Sequence, residues 1–146
     1  MPADKESINK TLDQWHAAAG RADFKNYFEL MDDQATFMGT DATENWNKKD
    51  FMAWSKPYFD KGKAWNFKSV ERNIYFDHSG TVAWFDELLS TQMKICRGSG
   101  VMVKKGKDWK IEQYVLSMTI PNDLSDSIVR IKSPIEDGIL QGLNSK

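Results

Sequence analysis

The sequence predicts an α+β fold in which about three helices precede a mostly antiparallel sheet. Up to about residue 60, apolar side chains recur every three to four positions, which is the period of amphipathic helices. From Trp65 onward, long strand-like runs alternate with short polar turns. Helices followed by an antiparallel meander pack on one sheet face, so we expect a strongly curved sheet with a hollow beneath it.

The first helix is predicted from a single apolar stripe. Ile8, Leu12, Trp15 and Ala19 are three or four residues apart and share one helix face. Gly20 follows the stripe directly, as is typical of a residue that ends a helix.

Two further helices are predicted to begin at capping residues. Asp23 and Asn47 each precede an apolar pattern with helical spacing, and their short side chains can accept hydrogen bonds from free backbone amides. The stripe of the third helix is expected to bury the apolar side chains of Phe51, Trp54 and Tyr58.

Between these two helices, a short strand at 35–38 is expected to end in a polar loop, 39–46. A loop at a strand end can form the mouth of a pocket, and Asp41 and Trp46 are candidate ligand contacts there. Asp41 could instead only tie down its own loop, and Trp46 could only brace the third helix.

The second half of the chain reads as consecutive hairpins, with turns at 77–80, 90–92 and 105–108. Neither face of the last strand, 109–120, is uniformly polar. A sheet that is apolar on both faces needs cover on both, so we expect helices on one face and a homodimer partner on the outer face.

After Pro121 we expect a short helix through Val129 and then a C-terminal tail, 133–146. Residues 1–132 are therefore predicted to form a single domain, a common size for one hydrophobic core.

Charge and composition exclude several classes of function. With 20 Lys and Arg against 21 Asp and Glu, the net charge of −1 disfavours nucleic-acid binding. The single cysteine, Cys96, excludes an internal disulfide and a thiolate metal cage. The two histidines, His16 and His78, have no metal-ligand spacing, so we expect no metal or other cofactor. No apolar run suits a signal peptide or a membrane span, which favours a cytoplasmic protein.

The aromatic content points to a ligand pocket. Aromatic side chains bury a large area, and Tyr and Trp each keep one hydrogen-bonding group for a ligand. Besides Trp46 and Asp41, the candidate ligand-binding residues are Trp15, Tyr27, Trp54, Trp84, Arg97 and Tyr114.

Asp86 is the candidate acid/base residue, because Trp84, Phe85 and Leu88 surround it with apolar groups that would raise the pKa of a carboxyl. If the following hairpin turns at 91–92, Arg97 lies directly opposite Asp86. Asp86 would then be half of a structural ion pair, or the pair would anchor a ligand carboxylate or carbonyl.

Four segments resemble the SnoaL-like branch of the nuclear-transport-factor-two-like superfamily: 37–46, 82–86, 97–101 and 109–117. The resemblance implies a cone of helices packed in a strongly bent sheet. Its enzymes generally place an Asp or His base inside the cone. Many relatives carry a histidine on the last strand, where this chain has Gln113 and Val115, and this departure argues against histidine-based acid/base chemistry.

Three hypotheses of function follow. The leading one is a small-molecule-binding domain with an apolar, aromatic-lined pocket for a small hydrophobic or cyclic carbonyl ligand. The second is an isomerase, cyclase or dehydratase that uses Asp86 as general base, with Tyr27, Tyr114 or Arg97 stabilising an oxyanion. The third is a non-catalytic dimerisation module.

Overall fold

A computed structural model describes residues 2–62 and 64–146. Four helices and a six-stranded sheet make up the fold. The helices are α1 (Pro2–Gly20), α2 (Phe24–Glu29), α3 (Lys48–Asp60) and α4 (Ser125–Asn144), and the strands are β1 (Met31–Met38), β2 (Asn45–Asn47), β3 (Lys68–Phe76), β4 (Val82–Thr91), β5 (Lys94–Lys105) and β6 (Asp108–Met118).

The strand order in the sheet is β2-β1-β6-β5-β4-β3. Neighbouring strands are antiparallel except β1 and β6, which run parallel. The predicted α+β class with a curved, mostly antiparallel sheet is confirmed. The short strand β2 was predicted as loop, because three residues paired to a neighbouring strand leave no periodic pattern in the sequence.

α1 packs inside the curved sheet with the predicted stripe buried. Ile8, Leu12 and Trp15 are almost completely removed from solvent. At the other end of the fold, the indole N–H of Trp109 on β6 donates a 3.0 Å hydrogen bond to Asp4, which ties the first turn of α1 to the sheet. The first helix therefore forms the central element of the core.

The two predicted caps are present. A side-chain oxygen of Asp23 accepts from the backbone amide of Asn26 at the start of α2, and Asn47 accepts from Asp50 at the start of α3. The predicted buried stripe of α3 was partly wrong. Its buried residues are Phe51, Ser55 and Phe59, and Trp54 and Tyr58 remain 40% and 47% exposed.

Alternation along β4 separates two environments. Phe85, Glu87 and Leu89 face the helices and are buried, whereas Trp84 and Asp86 lie on the outer face of the sheet. This alternation decides which acidic residue enters the core of the cone.

The hairpin between β4 and β5 turns one residue later than predicted, which shifts the pairing register of the two strands by two residues. Thr91 pairs with Lys94, so Asp86 lies opposite Ser99, and Arg97 lies opposite Leu88. The expected cross-strand pairing of Asp86 with Arg97 is therefore wrong. A shift of two in register keeps both side chains on the same face but removes them from direct opposition.

The predicted helix after Pro121 is longer than expected, since α4 continues to Asn144 through Pro134. Every described residue of α4 is at least partly exposed, and its main contact is the 3-10 turn at Asn122–Leu124. Within the described residues, no helix combines the length and the apolar character needed to cross a membrane.

Candidate functional site

An aromatic cavity lies at the mouth of the cone, where β1, β6 and the β4–β5 turn end. It encloses about 180 Å³. Its walls come from β1, the following loop, β2, α3, the segment before β3, the β4–β5 turn and β6. The lining residues are Phe37, Gly39, Thr40, Glu44, Trp46, Phe51, Trp54, Trp65, Phe67, Gln92, Met93 and Leu116. We call this cavity the mouth cavity.

The rings around the mouth cavity stack on one another in one layer. The ring centroids of Trp46 and Trp54 are 4.6 Å apart, and those of Phe37 and Phe51 are 4.1 Å apart. Trp65 continues the layer, with its centroid 5.8 Å from that of Phe51. Stacked rings support one another, so the exposed indole of Trp54 is held in place by its neighbours.

The loop between β1 and β2 positions Glu44 at the edge of the mouth cavity. The backbone amide of Asp41 donates a 3.1 Å hydrogen bond to Oε1 of Glu44, and the amide of Gly39 donates to the Glu44 carbonyl. A Cβ on residue 39 would overlap the Glu44 carboxylate. Glycine at this position therefore lets the carboxylate lie directly on the backbone.

A polar network centred on Glu87 lies deeper in the cone. Nε2 of His16 is 2.8 Å from Oε2 of Glu87, and the hydroxyl of Tyr114 donates to the same oxygen at 2.7 Å. Nε of Arg72 donates to Oε1 at 2.9 Å. All four residues are buried or nearly so, and we call them the Glu87 network.

Arg72 connects the Glu87 network to the surface of α1. Nη1 of Arg72 donates to the carbonyl and side-chain oxygens of Asn9 and is 2.9 Å from Asp13. The network therefore joins α1 to β3, β4 and β6, and it supplies partners for charges that would be costly to bury alone.

The network sets the protonation of its members. Burial alone raises the pKa of Glu87, but the hydrogen bond from His16 and the charges of His16 and Arg72 outweigh it and lower that pKa to about 2. Burial and the neighbouring carboxylate raise the pKa of Tyr114 well above its ordinary value. Glu87 is thus an ionised, weakly basic carboxylate and Tyr114 a neutral hydrogen-bond donor.

Gly98 makes room for this arrangement. A Cβ at Gly98 would overlap the hydroxyl of Tyr114, and a Cβ at Gly100 would overlap the backbone carbonyl of Gln113. Glycine at position 98 therefore leaves the space that the Tyr114 hydroxyl occupies.

The candidate residues from the sequence fall into separate regions. Trp46 and Trp54 line the mouth cavity. Trp15, Tyr27 and Tyr114 are completely or almost completely buried, and the ring of Trp15 packs on those of Tyr27 and Tyr114 behind the cavity wall. These three residues contribute to the core from which the mouth opens.

The remaining candidates lie outside the cone. Trp84 is 47% exposed on the outer face, where its ring stacks on Tyr75, and Arg97 is exposed on the same face. Asp86 accepts a 2.9 Å hydrogen bond from Asn73 there. Asp41 is exposed and accepts hydrogen bonds from the amide and hydroxyl of Thr43, so it ties its own loop.

Sequence reasoning missed Glu87, Arg72 and the role of His16. The alternation of Ala83, Phe85, Glu87 and Leu89 places Glu87 on an apolar face, and this signal was present in the sequence. For His16, the sequence showed only the lack of metal-ligand spacing. Its partner is 71 positions away, a separation that no local pattern reveals.

Neither a larger surface groove nor a metal-ligating cluster provides a second candidate site among the described residues. A larger groove of about 560 Å³ lies between α2 and α3, but it is wide open to solvent, and its lining mixes Phe24, Phe28 and Met52 with charged side chains. No cluster of His, Cys, Asp and Glu among the described residues could hold a metal ion.

Comparisons with known proteins agree on the fold. A family model described as a SnoaL-like domain matches residues 8–121. An NTF2-like protein of unknown function from Pseudomonas putida is 12% identical, and the match covers 84% of this chain and 91% of that one with a TM-score of 0.69. A cystatin-like domain from Nostoc punctiforme is 15% identical, with coverage of 100% and 99% and a TM-score of 0.70.

The association domain of CaMKII from C. elegans is 19% identical, with coverage of 80% and 96% and a TM-score of 0.65. No curated protein matches the sequence. Structural likeness at such identities establishes the fold and leaves activity to the chain's own residues.

Proposed function

The chain belongs to the SnoaL-like domain family, and we propose that it is a small-molecule-binding member that holds a compact, largely apolar ligand in the mouth cavity. The observation that carries this proposal is the stacked aromatic layer of Trp46, Trp54 and Trp65, which surrounds an accessible cavity instead of filling it. Concave apolar surfaces with a few polar groups are the usual form of ligand sites.

The volume of the mouth cavity limits the size of the ligand. At about 180 Å³ it is smaller than the roughly 300–1,000 Å³ of sites for drug-sized molecules. A ligand of one or two rings, or one such group of a larger molecule, fits this space. The rest of a larger ligand would extend into solvent past Gln92 and Glu44.

The geometry favours binding over acid/base catalysis by Asp86. Asp86 lies on the outer face of the sheet, so the sheet itself separates it from the mouth cavity. Glu87 is on the inner face, but its lowered pKa of about 2 makes it a weak proton acceptor. Glu44 is the one ionisable side chain among the described residues that line the cavity.

Binding can be tested with indole and cyclohexanone, a planar aromatic and a cyclic ketone, by titration followed through amide chemical shifts. We expect a saturable response from the wild-type protein and its loss in Trp54→Leu. Trp84→Leu is the matched control, because Trp84 is similarly exposed but lies on the outer face. Equal effects of both substitutions, or the absence of binding, would contradict the proposal.

The outer face supports a second proposal, that the protein is a homodimer joined through this face. Tyr75 and Trp84 are each 47% exposed, and their stacked rings form an apolar patch where a monomer would normally place polar groups. Such a patch would also serve the alternative function of a dimerisation module. The association domain of CaMKII from C. elegans shares this fold, and its name is in keeping with a fold that can assemble. At 19% identity the likeness extends to the fold alone.

Light scattering tests the dimer. We expect twice the chain mass of 16.8 kDa for the wild-type protein and the mass of one chain for Trp84→Lys. Ile135→Lys, on the exposed helix α4, is the control for a change of charge away from the sheet. A wild-type monomer at micromolar concentration, or a Trp84→Lys dimer, would contradict the interface.

A further inference from the structure

The charge of the mouth cavity is one-sided. Of the described residues that line it, six are aromatic, one is acidic and none is Lys, Arg or His. This composition favours some ligands over others of the same size and shape, according to whether they are cationic, neutral or anionic.

We propose that the ligand of the mouth cavity is a small organic cation of the quaternary or tertiary ammonium class. This inference rests on the proposed binding function and adds the charge of the ligand. It follows from three properties of the cavity: its indole faces, its carboxylate and its volume.

The aromatic layer favours a positive charge. The face of an aromatic ring carries negative electrostatic potential, and the indole of tryptophan attracts cations most strongly. Trp46, Trp54 and Trp65 all line the mouth cavity; Trp46 and Trp54 turn one face toward each other at 4.6 Å, so a bound cation would contact the indole surface that this stacking leaves uncovered. A methylated ammonium group is weakly hydrated, so it can leave water for such a surface at lower cost than a primary ammonium.

Glu44 adds a negative charge at a defined place. Oε1 is held by the Asp41 amide at 3.1 Å, so the carboxylate stays at the cavity edge without rotating freely. In the part of the chain that the structure describes, Oε2 of Glu44 accepts no hydrogen bond, so it keeps its capacity to pair with a ligand. A carboxylate next to aromatic faces attracts a cation and repels an anion.

The volume matches a head group of this class. At about 180 Å³ the mouth cavity is smaller than the roughly 300–1,000 Å³ sites of drug-sized ligands, so it suits a compact group of few non-hydrogen atoms. A trimethylammonium group with its first methylene carbon is a compact sphere of five such atoms. An anionic ligand of equal size would meet Glu44 and the negative ring faces together.

The test compares choline with its neutral carbon isostere, in which a tert-butyl group replaces trimethylammonium. The two molecules have the same shape and differ in charge. We expect choline to bind the wild-type protein about tenfold more tightly in calorimetric or chemical-shift titrations. We also expect the preference to shrink as salt is added, since Glu44 is partly exposed.

Two variants assign the preference to the cavity. Glu44→Gln keeps the acceptor for the Asp41 amide but removes the charge, and we expect it to weaken choline about fivefold and leave the isostere unchanged. Glu6→Gln, an exposed residue of α1, makes the same change of charge outside the cavity and is expected to have no effect.

The outcomes separate this inference from the function on which it rests. If the isostere binds as tightly as choline, or if indole and cyclohexanone bind and choline does not, the cation inference is overturned and the binding function stands. If none of the four probes binds, both proposals fail. Equal loss of choline binding in Glu44→Gln and Glu6→Gln would also overturn the assignment to the cavity.

Discussion

The Glu87 network and the mouth cavity are neighbours in one cone, separated by the stacked rings of Phe37 and Tyr114, whose centroids are 5.7 Å apart. In the network, the two carboxylate oxygens of Glu87 accept hydrogen bonds from Arg72 and Tyr114 and contact His16. In the mouth cavity, indole faces and one carboxylate border open space.

This difference separates stability from binding. Charged groups whose partners are all within the protein hold elements together and have little capacity left for a ligand. Aromatic surface that is supported from behind and open in front gains by covering itself with a ligand. Substitutions in the two regions should therefore have different consequences.

The largest expected effect is that of Arg72→Met, which removes the guanidinium partner of the buried Glu87 carboxylate. We expect the free energy of unfolding to fall by roughly 3–5 kcal/mol, as measured by urea denaturation. Arg130→Met, with an exposed side chain on α4, is the control and should change stability little. Similar losses in both variants would contradict a structural role for the network.

The second-largest effect on stability is expected from acid, which should weaken the Glu87 network. The folded-state pKa of Glu87, about 2, lies below the ordinary value of 4.5, so its contribution to stability is complete above pH 4.5 and is lost as the pH falls toward 2. The loss is on the order of 3 kcal/mol. Denaturation measured across this pH range should show it in the wild-type protein, and Glu87→Gln should show a shallower decline.

Tyr114→Phe removes one hydrogen bond to Glu87 and keeps the ring packing with Trp15 and Phe37. We expect a loss of about 1–3 kcal/mol in the free energy of unfolding. Tyr58→Phe, on the exposed side of α3, is a matched change of one hydroxyl and should have almost no effect. If Tyr114→Phe left the free energy of unfolding unchanged, the network would be less tightly coupled than its distances indicate.

The smallest effect on stability is expected for Trp54→Leu, at the mouth cavity. Since the side chain is 40% exposed, stability should change by less than about 1 kcal/mol, whereas ligand binding should be lost. Paired denaturation and titration of this one variant test the separation directly. A large loss of stability in Trp54→Leu would show that Trp54 supports the core and is not mainly a residue of the mouth cavity.

Local features of the sequence predicted the elements well. The stripe of α1 and the caps Asp23 and Asn47 depend on residues a few positions apart, so a single segment contains the whole signal. Trp46 and Trp54 were candidate ligand contacts on similarly local grounds, and both line the mouth cavity; a role for them in ligand binding stays a prediction.

The predictions that failed depend on distant parts of the chain. The pairing of Asp86 with Arg97 required the turn position, and the hairpin turns at 92–93, next to Lys94 with its positive φ of 67°. The choice between Asp86 and Glu87 required the face of β4 that meets α1. Adjacent strand residues point to opposite faces, so an error of one position exchanges the core for the outer face.

By itself, the sequence determined the fold class, the helix boundaries near their caps and the series of hairpins, because periodicity and capping act within a few residues. Only the tertiary structure decided that Glu87 instead of Asp86 enters the cone, that His16 and Arg72 meet it, and that Trp15 and Tyr27 are core while Trp46 and Trp54 line the mouth. Those outcomes depend on strand register and on contacts between residues far apart in the chain, which the packing of the whole domain selects.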